Sequence, residues 1–239
     1  MNSNTSRPER LYLMEVARVG QPMNRPVVAY LIQTVDGKNI LIDTGLATNA
    51  PIPPGFPTVQ FHKTVIEQLA NIGLKPEDID TLICTHFDMD HASYHGAFTN
   101  AQFIVQKRHY DDAQKNPRYG FARPQWDQPL DRFQFVDRDC ELLPGLKLIA
   151  TDGHATGHQS VLLRLPQTGN VLLTIDAVMT QARFNVDVEK SAQDEDLDAL
   201  RASTEKLLTL SDQEKVALVI FGHDGEQWAT LKKLPEYYG

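Results

Sequence analysis

A short segment near the middle of the chain concentrates side chains that bind metal ions. Thr85-His-Phe-Asp-Met-Asp-His91 directly follows an apolar run at 81–84. Imidazole nitrogens and carboxylate oxygens together suit Zn²⁺ and other first-row divalent ions. Neither a strand nor a helix would aim these side chains in one direction, whereas a loop lets them converge. The segment therefore predicts a metal site whose first candidates are His86, Asp88, Asp90 and His91.

Other histidines and aspartates occupy equivalent places, directly after apolar runs later in the chain. These residues are His154, His158, Asp176 and His223. Loop positions beyond buried strands are where rigid scaffolds present functional side chains. Together with the first cluster, these residues offer enough nitrogen and oxygen ligands for two ions.

Hydrophobic periodicity and turn residues indicate the elements that must position these ligands. Two apolar runs at 27–34 and 40–43 flank Asp36-Gly37, which favours a β-hairpin. Strands in both halves of the chain, each half followed by a helix, favour an α/β fold in which helices flank two sheets. Further strands are predicted at 81–85, 102–106, 146–151, 160–165, 170–175 and 215–221, and helices at 62–72 and 194–210.

A single domain over residues 1–239 is expected, because a chain of this length can bury a sizeable core. Residues 108–139 lack periodicity and contain several prolines, which predicts an irregular insertion or lid. Its aromatic side chains are expected to form either an apolar wall for a substrate or a small core of their own. They are Tyr110, Tyr119, Phe121, Trp126 and Phe133. The apolar N-terminal residues Leu11, Leu13 and Met14 are expected to cover either a partner or the protein's own pocket.

Charge and composition exclude several classes of protein. Lys and Arg number 23 against 31 Asp and Glu, and the resulting charge of −8 argues against a nucleic-acid binder. Neither a membrane-spanning apolar stretch nor a signal peptide is recognisable in the sequence. The two cysteines, Cys84 and Cys140, cannot form a disulfide framework. We therefore expect a cytoplasmic protein that acts on a small molecule, with no nucleic-acid or membrane partner. The oligomeric state is left open.

The order of the motifs HxDxDH, GHxxGH, a strand-terminal Asp and a late GHD resembles the metallo-β-lactamase superfamily. Within it, the chain is most similar to the N-acyl-homoserine lactonase group. The segments that carry this likeness are Ile40-Leu-Ile-Asp-Thr-Gly45, Thr151-Asp-Gly-His-Ala-Thr-Gly-His-Gln-Ser160 and Phe221-Gly-His-Asp224. The resemblance implies an αββα sandwich of two mixed β-sheets flanked by helices, with two divalent metal ions, zinc foremost, along one edge.

The resemblance also implies a role for each candidate residue. One ion would be held by His86, Asp88 and His158, and the other by Asp90, His91 and His223, with Asp176 between them. His154 and Asp43 would be supporting residues. The implied reaction is opening of a lactone ring, such as that of an N-acyl-homoserine lactone, by a metal-bound hydroxide. Asp90 would pass a proton to the leaving alkoxide.

The chain departs from the lactonase pattern at two positions. Asp88 stands where the family string has its second histidine, and the added carboxylate predicts greater tolerance of Mn²⁺ or Fe²⁺ and leaves a one-metal site open. Met179 stands where lactonases of this group carry a tyrosine, and methionine cannot donate that hydrogen bond. Tyr94 and Tyr110 are candidates to replace it.

Two other functions remain open at this point. The same metal site could serve a glyoxalase II-like thioesterase or another carboxylic ester hydrolase. Alternatively, Asp88 and Met179 could mark a metal- or ligand-binding protein with little turnover.

Overall fold

Two mixed β-sheets pack face to face, and helices cover their outer sides, in the computed structural model of the chain, which describes residues 6–52 and 54–239. The predicted αββα arrangement is therefore confirmed. Residues 1–5 and 53, which the predicted domain includes, lie outside the described residues. Among the described helices, none is both long enough and apolar enough to cross a membrane.

The first sheet has seven strands. They are β1 (Pro8–Val19), β2 (Arg25–Thr34), β3 (Asn39–Ile42), β4 (Val59–Phe61), β5 (Thr81–Ile83), β6 (Gln102–Gln106) and β7 (Phe133–Val136). Their order across the sheet is β4-β1-β2-β3-β5-β6-β7. The strands from β4 to β3 pair antiparallel, and those from β3 to β7 pair parallel. The hairpin predicted around Asp36-Gly37 joins β2 to β3.

The second sheet has five strands. They are β8 (Cys140–Leu143), β9 (Leu146–Ala150), β10 (Gln159–Leu165), β11 (Gly169–Ile175) and β12 (Leu218–Phe221). Their order is β12-β11-β10-β9-β8, and only the β11–β12 pair is parallel. Because β5, β11 and β12 all end near the same edge of the sandwich, the segments that follow them can meet there.

Alternation along the strands sorts apolar side chains into three layers. Tyr30 and Ile32 of β2 face the second sheet, whereas Ala29 and Leu31 face the helices. Four of the helices pack on the first sheet, and α5 packs on the second through Leu207. The helices are α1 (Val65–Ala70), α2 (Met89–Ala92), α3 (Lys107–Ala113), α4 (Arg123–Trp126), α5 (Leu197–Gln213) and α6 (Gly225–Thr230).

The N-terminal apolar residues belong to a strand that the sequence patterns did not predict. β1 pairs with β2 along its length, and Leu11, Leu13 and Met14 are fully buried. They therefore cover the protein's own core. β1 was missed because Glu15 and Arg18 interrupt its apolar residues, so that it shows neither a continuous apolar run nor regular alternation.

The expectation that residues 108–139 are irregular is wrong. This segment contains most of α3, the whole of α4 and the edge strand β7. Tyr110, Tyr119, Trp126 and Phe133 are buried in the core cluster between the first sheet and its helices, and only Phe121 is exposed. The indole of Trp126 stacks on Phe87 with ring centroids 4.6 Å apart. Four of the five aromatic residues thus belong to the main core beside the first sheet, rather than to a small core of their own or to a substrate wall.

Candidate metal centre

The candidate ligands converge where the segments after β5, β9, β11 and β12 meet. Three groups of ligand atoms form there, and the atoms of each group lie within 4.8 Å of one another. The groups are His86, Asp88 and His154; His86, His91 and Asp176; and Asp90, His91 and His223. Because His86 and His91 each belong to two groups, the three groups form one continuous cluster.

Close backbone approaches direct these side chains into the cluster. A Cβ on Gly222 would lie 2.4 Å from the carbonyl oxygen of Ile175, so only glycine lets the chain before His223 pass against the end of β11. Gly153 has a φ of +128°, and a Cβ there would lie 2.3 Å from the backbone nitrogen of Leu200 in α5. Packing between distant parts of the chain therefore sets the direction of His154 and His223.

Four histidines are anchored through Nδ1, which leaves Nε2 facing the cluster. The anchoring distances are His86 to Thr85 Oγ1 3.1 Å, His91 to Asp43 Oδ2 2.9 Å, His154 to Asp194 Oδ1 3.0 Å and His223 to the Pro26 carbonyl 2.7 Å. Partners of this kind fix the orientation of metal-binding imidazoles and raise their basicity. Asp43 has the supporting role that the sequence resemblance implied.

Several buried atoms at the centre of the cluster lack hydrogen-bond partners among the described residues. They are His86 Nε2, His91 Nε2 and Asp176 Oδ1. His91 Nε2 and Asp176 Oδ1 lie 3.3 Å apart, yet neither makes a hydrogen bond. Buried polar atoms are almost always paired, so this concentration of unpaired polar atoms requires an explanation. A set of imidazole and carboxylate donors converging on one point fits divalent metal ions.

Opposite charges stabilise the ionised forms of these groups. Burial disfavours the charge on His91, but Asp176 and Asp90 outweigh it and hold the pKa of His91 well above its usual value. Burial likewise opposes ionisation of Asp176, but His223 and His91 keep the pKa of its carboxyl well below the usual range. The carboxylate therefore remains available to a cation at neutral pH.

His154 belongs to one of these groups of ligand atoms, whereas His158, the ligand that the sequence resemblance implied, belongs to none of them. His154 Nε2 lies 3.3 Å from Asp88 Oδ2 and 3.4 Å from Asp176 Oδ2. Both ring nitrogens of His158 are engaged elsewhere. Its Nδ1 lies 2.8 Å from Thr151 Oγ1, and its Nε2 accepts a hydrogen bond from the backbone N–H of Asp176 at 3.3 Å. His158 thus supports the backbone that carries the Asp176 carboxylate.

Comparison with known proteins agrees with this geometry. Residues 23–223 match the sequence profile of the Metallo-beta-lactamase superfamily. The chain belongs to the metallo-β-lactamase superfamily. The predicted family is therefore confirmed.

Two relatives and one solved structure show which members of the superfamily this metallo-β-lactamase protein resembles. It is 34% identical to the N-acyl homoserine lactonase AiiA of Bacillus thuringiensis subsp. kurstaki, over 91% of this chain and 89% of that protein. It is 33% identical to the N-acyl homoserine lactonase AttM of Azorhizobium caulinodans, over 89% of this chain and 87% of that protein. A solved N-acyl homoserine lactone hydrolase, with the product N-hexanoyl-L-homoserine at its catalytic metal centre, superposes with a TM-score of 0.83 at 29% identity and covers 97% of this chain and 100% of that one.

The metallo-β-lactamase centre opens onto a cleft of about 340 Å³ lined by Asp88, Met89, Asp90, Arg118, Ala192 and Gln193. Asp90 is one-third exposed, and its Oδ2 lies 3.8 Å from His223 Nε2. It is thus a member of the cluster that also faces the space where a substrate would enter.

The two departures from the lactonase pattern have different surroundings. Met179 is buried, and its carbonyl accepts a hydrogen bond from the backbone N–H of His223 at 2.8 Å. Tyr110 packs against Phe133 and Phe135 in the core, so it does not replace the missing tyrosine. Tyr94 also packs against this core, and its proposed role remains a prediction.

The carboxylate of Asp88 is paired with a residue that sequence reasoning missed. Arg118 donates from Nε to Asp88 Oδ1 at 2.6 Å and from Nη2 to Asp88 Oδ2 at 2.5 Å. No local pattern points to Arg118, which lies thirty residues away in a polar stretch. The signal available in the sequence was Asp88 itself. A carboxylate where the family pattern has a histidine adds a negative charge, and a nearby cation can balance that charge.

Proposed function

We propose that this protein is a metal-dependent hydrolase that opens lactone rings, with N-acyl-homoserine lactones as its substrates. The observation that carries the proposal is the cluster of unpaired, converging ligand atoms beside an open cleft. Relatives named as N-acyl homoserine lactonases align with about nine-tenths of the chain and support the choice of substrate.

Two divalent ions fit the ligand groups. We infer that His86, Asp88 and His154 would hold one ion, that Asp90, His91 and His223 would hold the other, and that Asp176 lies between them. Divalent ions bound in this way lower the pKa of water and polarise a substrate carbonyl. This assignment keeps six of the seven ligands expected from the sequence and replaces His158 with His154.

The chain's own residues orient the histidine rings and move a proton in this reaction. Asp43 and Asp194 hold the rings of His91 and His154, so that Nε2 of each ring points inward. Asp90 faces the cleft, and we infer that its carboxylate takes a proton from the attacking water and passes it to the alkoxide that leaves when the ring opens. Bonding of the water oxygen to the acyl carbon and cleavage of the acyl C–O bond together yield a hydroxy acid.

A substrate panel tests the proposed activity. The purified chain, loaded separately with Zn²⁺, Mn²⁺ and Fe²⁺, is assayed on N-acyl-homoserine lactones, simple γ-lactones and S-lactoylglutathione, with chelator-treated protein as the control. Metal-dependent opening of the acyl-homoserine lactones is expected. Preference for S-lactoylglutathione would indicate a thioesterase, and tight metal binding without turnover would indicate a binding protein.

A further inference from the structure

Arg118 places a cation directly against one group of ligand atoms. Its guanidinium forms a two-pronged pair with the carboxylate of Asp88, at 2.6 and 2.5 Å. The Nη2 atom that contacts Asp88 Oδ2 also lies 2.9 Å from His154 Nε2. One guanidinium nitrogen therefore contacts two of the three atoms that this group offers to a metal ion.

The guanidinium is held in this position by its other nitrogen. Nη1 donates to the carbonyl oxygens of His154 at 3.0 Å and of Gln193 at 2.9 Å, and it lies 3.3 Å from Glu195 Oε1. The side chain of Arg118 is only 21% exposed. Bonds on both sides of the guanidinium thus fix the cation, because moving it breaks several charge-assisted contacts together.

The rest of the cluster has a different electrostatic environment. In the part of the chain that the structure describes, the ion pairs of Asp90 and Asp176 involve histidines alone. An incoming dication can displace protons from histidines, but it cannot remove the charge of an arginine, which stays protonated in proteins. The two ends of the cluster therefore differ in how strongly they accept a metal ion.

We propose that Arg118 is an internal cation that competes with metal ions for Asp88 and His154, so that the two metal positions fill in sequence. The ion at Asp90, His91 and His223 binds first. The second ion enters only when the guanidinium leaves Asp88 Oδ2 and His154 Nε2. This inference rests on the metal centre of the proposed function, and it makes Arg118 a positioning residue that governs loading.

Titration with Zn²⁺ alone tests the proposal on the metal-free, full-length chain. Calorimetry in competition with a chelator of known affinity should resolve two separated binding steps. A neighbouring arginine typically lowers a carboxylate's affinity for a proton about 10- to 1000-fold, and a dication meets the same competition. We therefore expect Arg118→Gln to strengthen the second step by roughly 10- to 1000-fold and to leave the first nearly unchanged.

A matched control is available in the same segment. Arg123 is 42% exposed and pairs with Asp127 on the surface of α4. Arg123→Gln should leave both steps as in the wild type. If Arg118→Gln leaves the separation of the steps unchanged, or strengthens both steps equally, the proposal is wrong.

A measurement on the wild-type chain covers the case in which Arg118→Gln does not fold. The Nε–Hε resonance of Arg118 is identified in ¹H–¹⁵N spectra by its loss in Arg118→Lys. It should stay in place during addition of the first equivalent of Zn²⁺ and shift with the second. A shift with the first equivalent, or with neither, would overturn the proposal. Lactone turnover is not used in either experiment, so failure of the proposed activity and failure of this inference are distinguishable.

Discussion

The carboxylate of Asp43 links the loop after β3 to the ring of His91, with Oδ2 2.9 Å from Nδ1. The same carboxylate accepts hydrogen bonds from the backbone N–H and the hydroxyl of Thr85, at 2.9 and 2.6 Å. Burial raises the pKa of Asp43, although His91 and Thr85 oppose that shift. The fully buried side chain of Asp43 thus joins the backbone of Thr85 to the ring of His91.

Replacement of Asp43 by Asn should weaken metal binding without removing a ligand. Asn tolerates the left-handed backbone that Asp43 adopts, with φ of 54°, so the shape of the loop is preserved. The neutral amide no longer raises the basicity of His91, and loss of such a partner typically costs about 10- to 100-fold in metal affinity. Chelator competition measures the change. Asp80→Asn, at an exposed ion pair with Lys38, is the control, and an equal effect there would contradict the prediction.

The two histidines of the GHxxGH motif should behave differently when each is changed to Gln. His154→Gln is expected to lower the metal content, because it removes a ligand atom from the group that contains Asp88. His158→Gln should retain the metal content of the wild type but unfold more easily, because it disturbs the hydrogen bond to the Asp176 backbone. Elemental analysis and thermal unfolding measure the two effects. The opposite pattern would support the assignment made from the sequence, with His158 as the ligand.

Trp126 should contribute to stability rather than to substrate choice. It is fully buried and stacked on Phe87, so Trp126→Ala is expected to reduce the free energy of unfolding by about 3–5 kcal/mol. Phe121 is 38% exposed, and Phe121→Ala should change it by less than about 0.5 kcal/mol. Urea denaturation compares the two variants. A large change in preference for acyl-chain length without loss of stability in Trp126→Ala would instead indicate a substrate wall.

His95 should make the metal-free protein less stable in acid. Burial lowers the pKa of His95 to about 3, whereas the unfolded chain takes up this proton near pH 6.5. The unfolded state therefore binds more protons between these values. The stabilisation is complete above pH 6.5 and declines as the pH falls toward 3, by up to about 1.4 kcal/mol per pH unit for one proton.

The variant His95→Gln should show a shallower loss of stability across this window. Urea denaturation at several pH values, in the presence of chelator, measures the free energy of unfolding of both proteins. The difference in free energy of unfolding between the two proteins should be constant at pH 7–8, and this range serves as the internal control. The difference should change only below pH 6.5. Parallel curves down to pH 4 would show that His95 is not the group responsible.

Local sequence determined much of the fold and the location of the site. The apolar runs at 27–34 and 40–43 and the Asp36-Gly37 turn between them identify β2 and β3, because apolar runs and hairpin turns depend on neighbouring residues. The segment from His86 to His91 identifies the metal centre in the same way, since four of its six residues are candidate ligands. The order of the motifs was enough to indicate the family.

Tertiary structure decided which side chains join the cluster of ligand atoms and which cation lies against that cluster. His154 and His158 are equivalent by local pattern, and the choice between them depends on the backbone at Gly153, which packs against α5. Arg118 meets Asp88 only because the chain between them folds back over the first sheet. The direction of a side chain in a loop follows from backbone angles that distant packing imposes, and no local pattern records that packing.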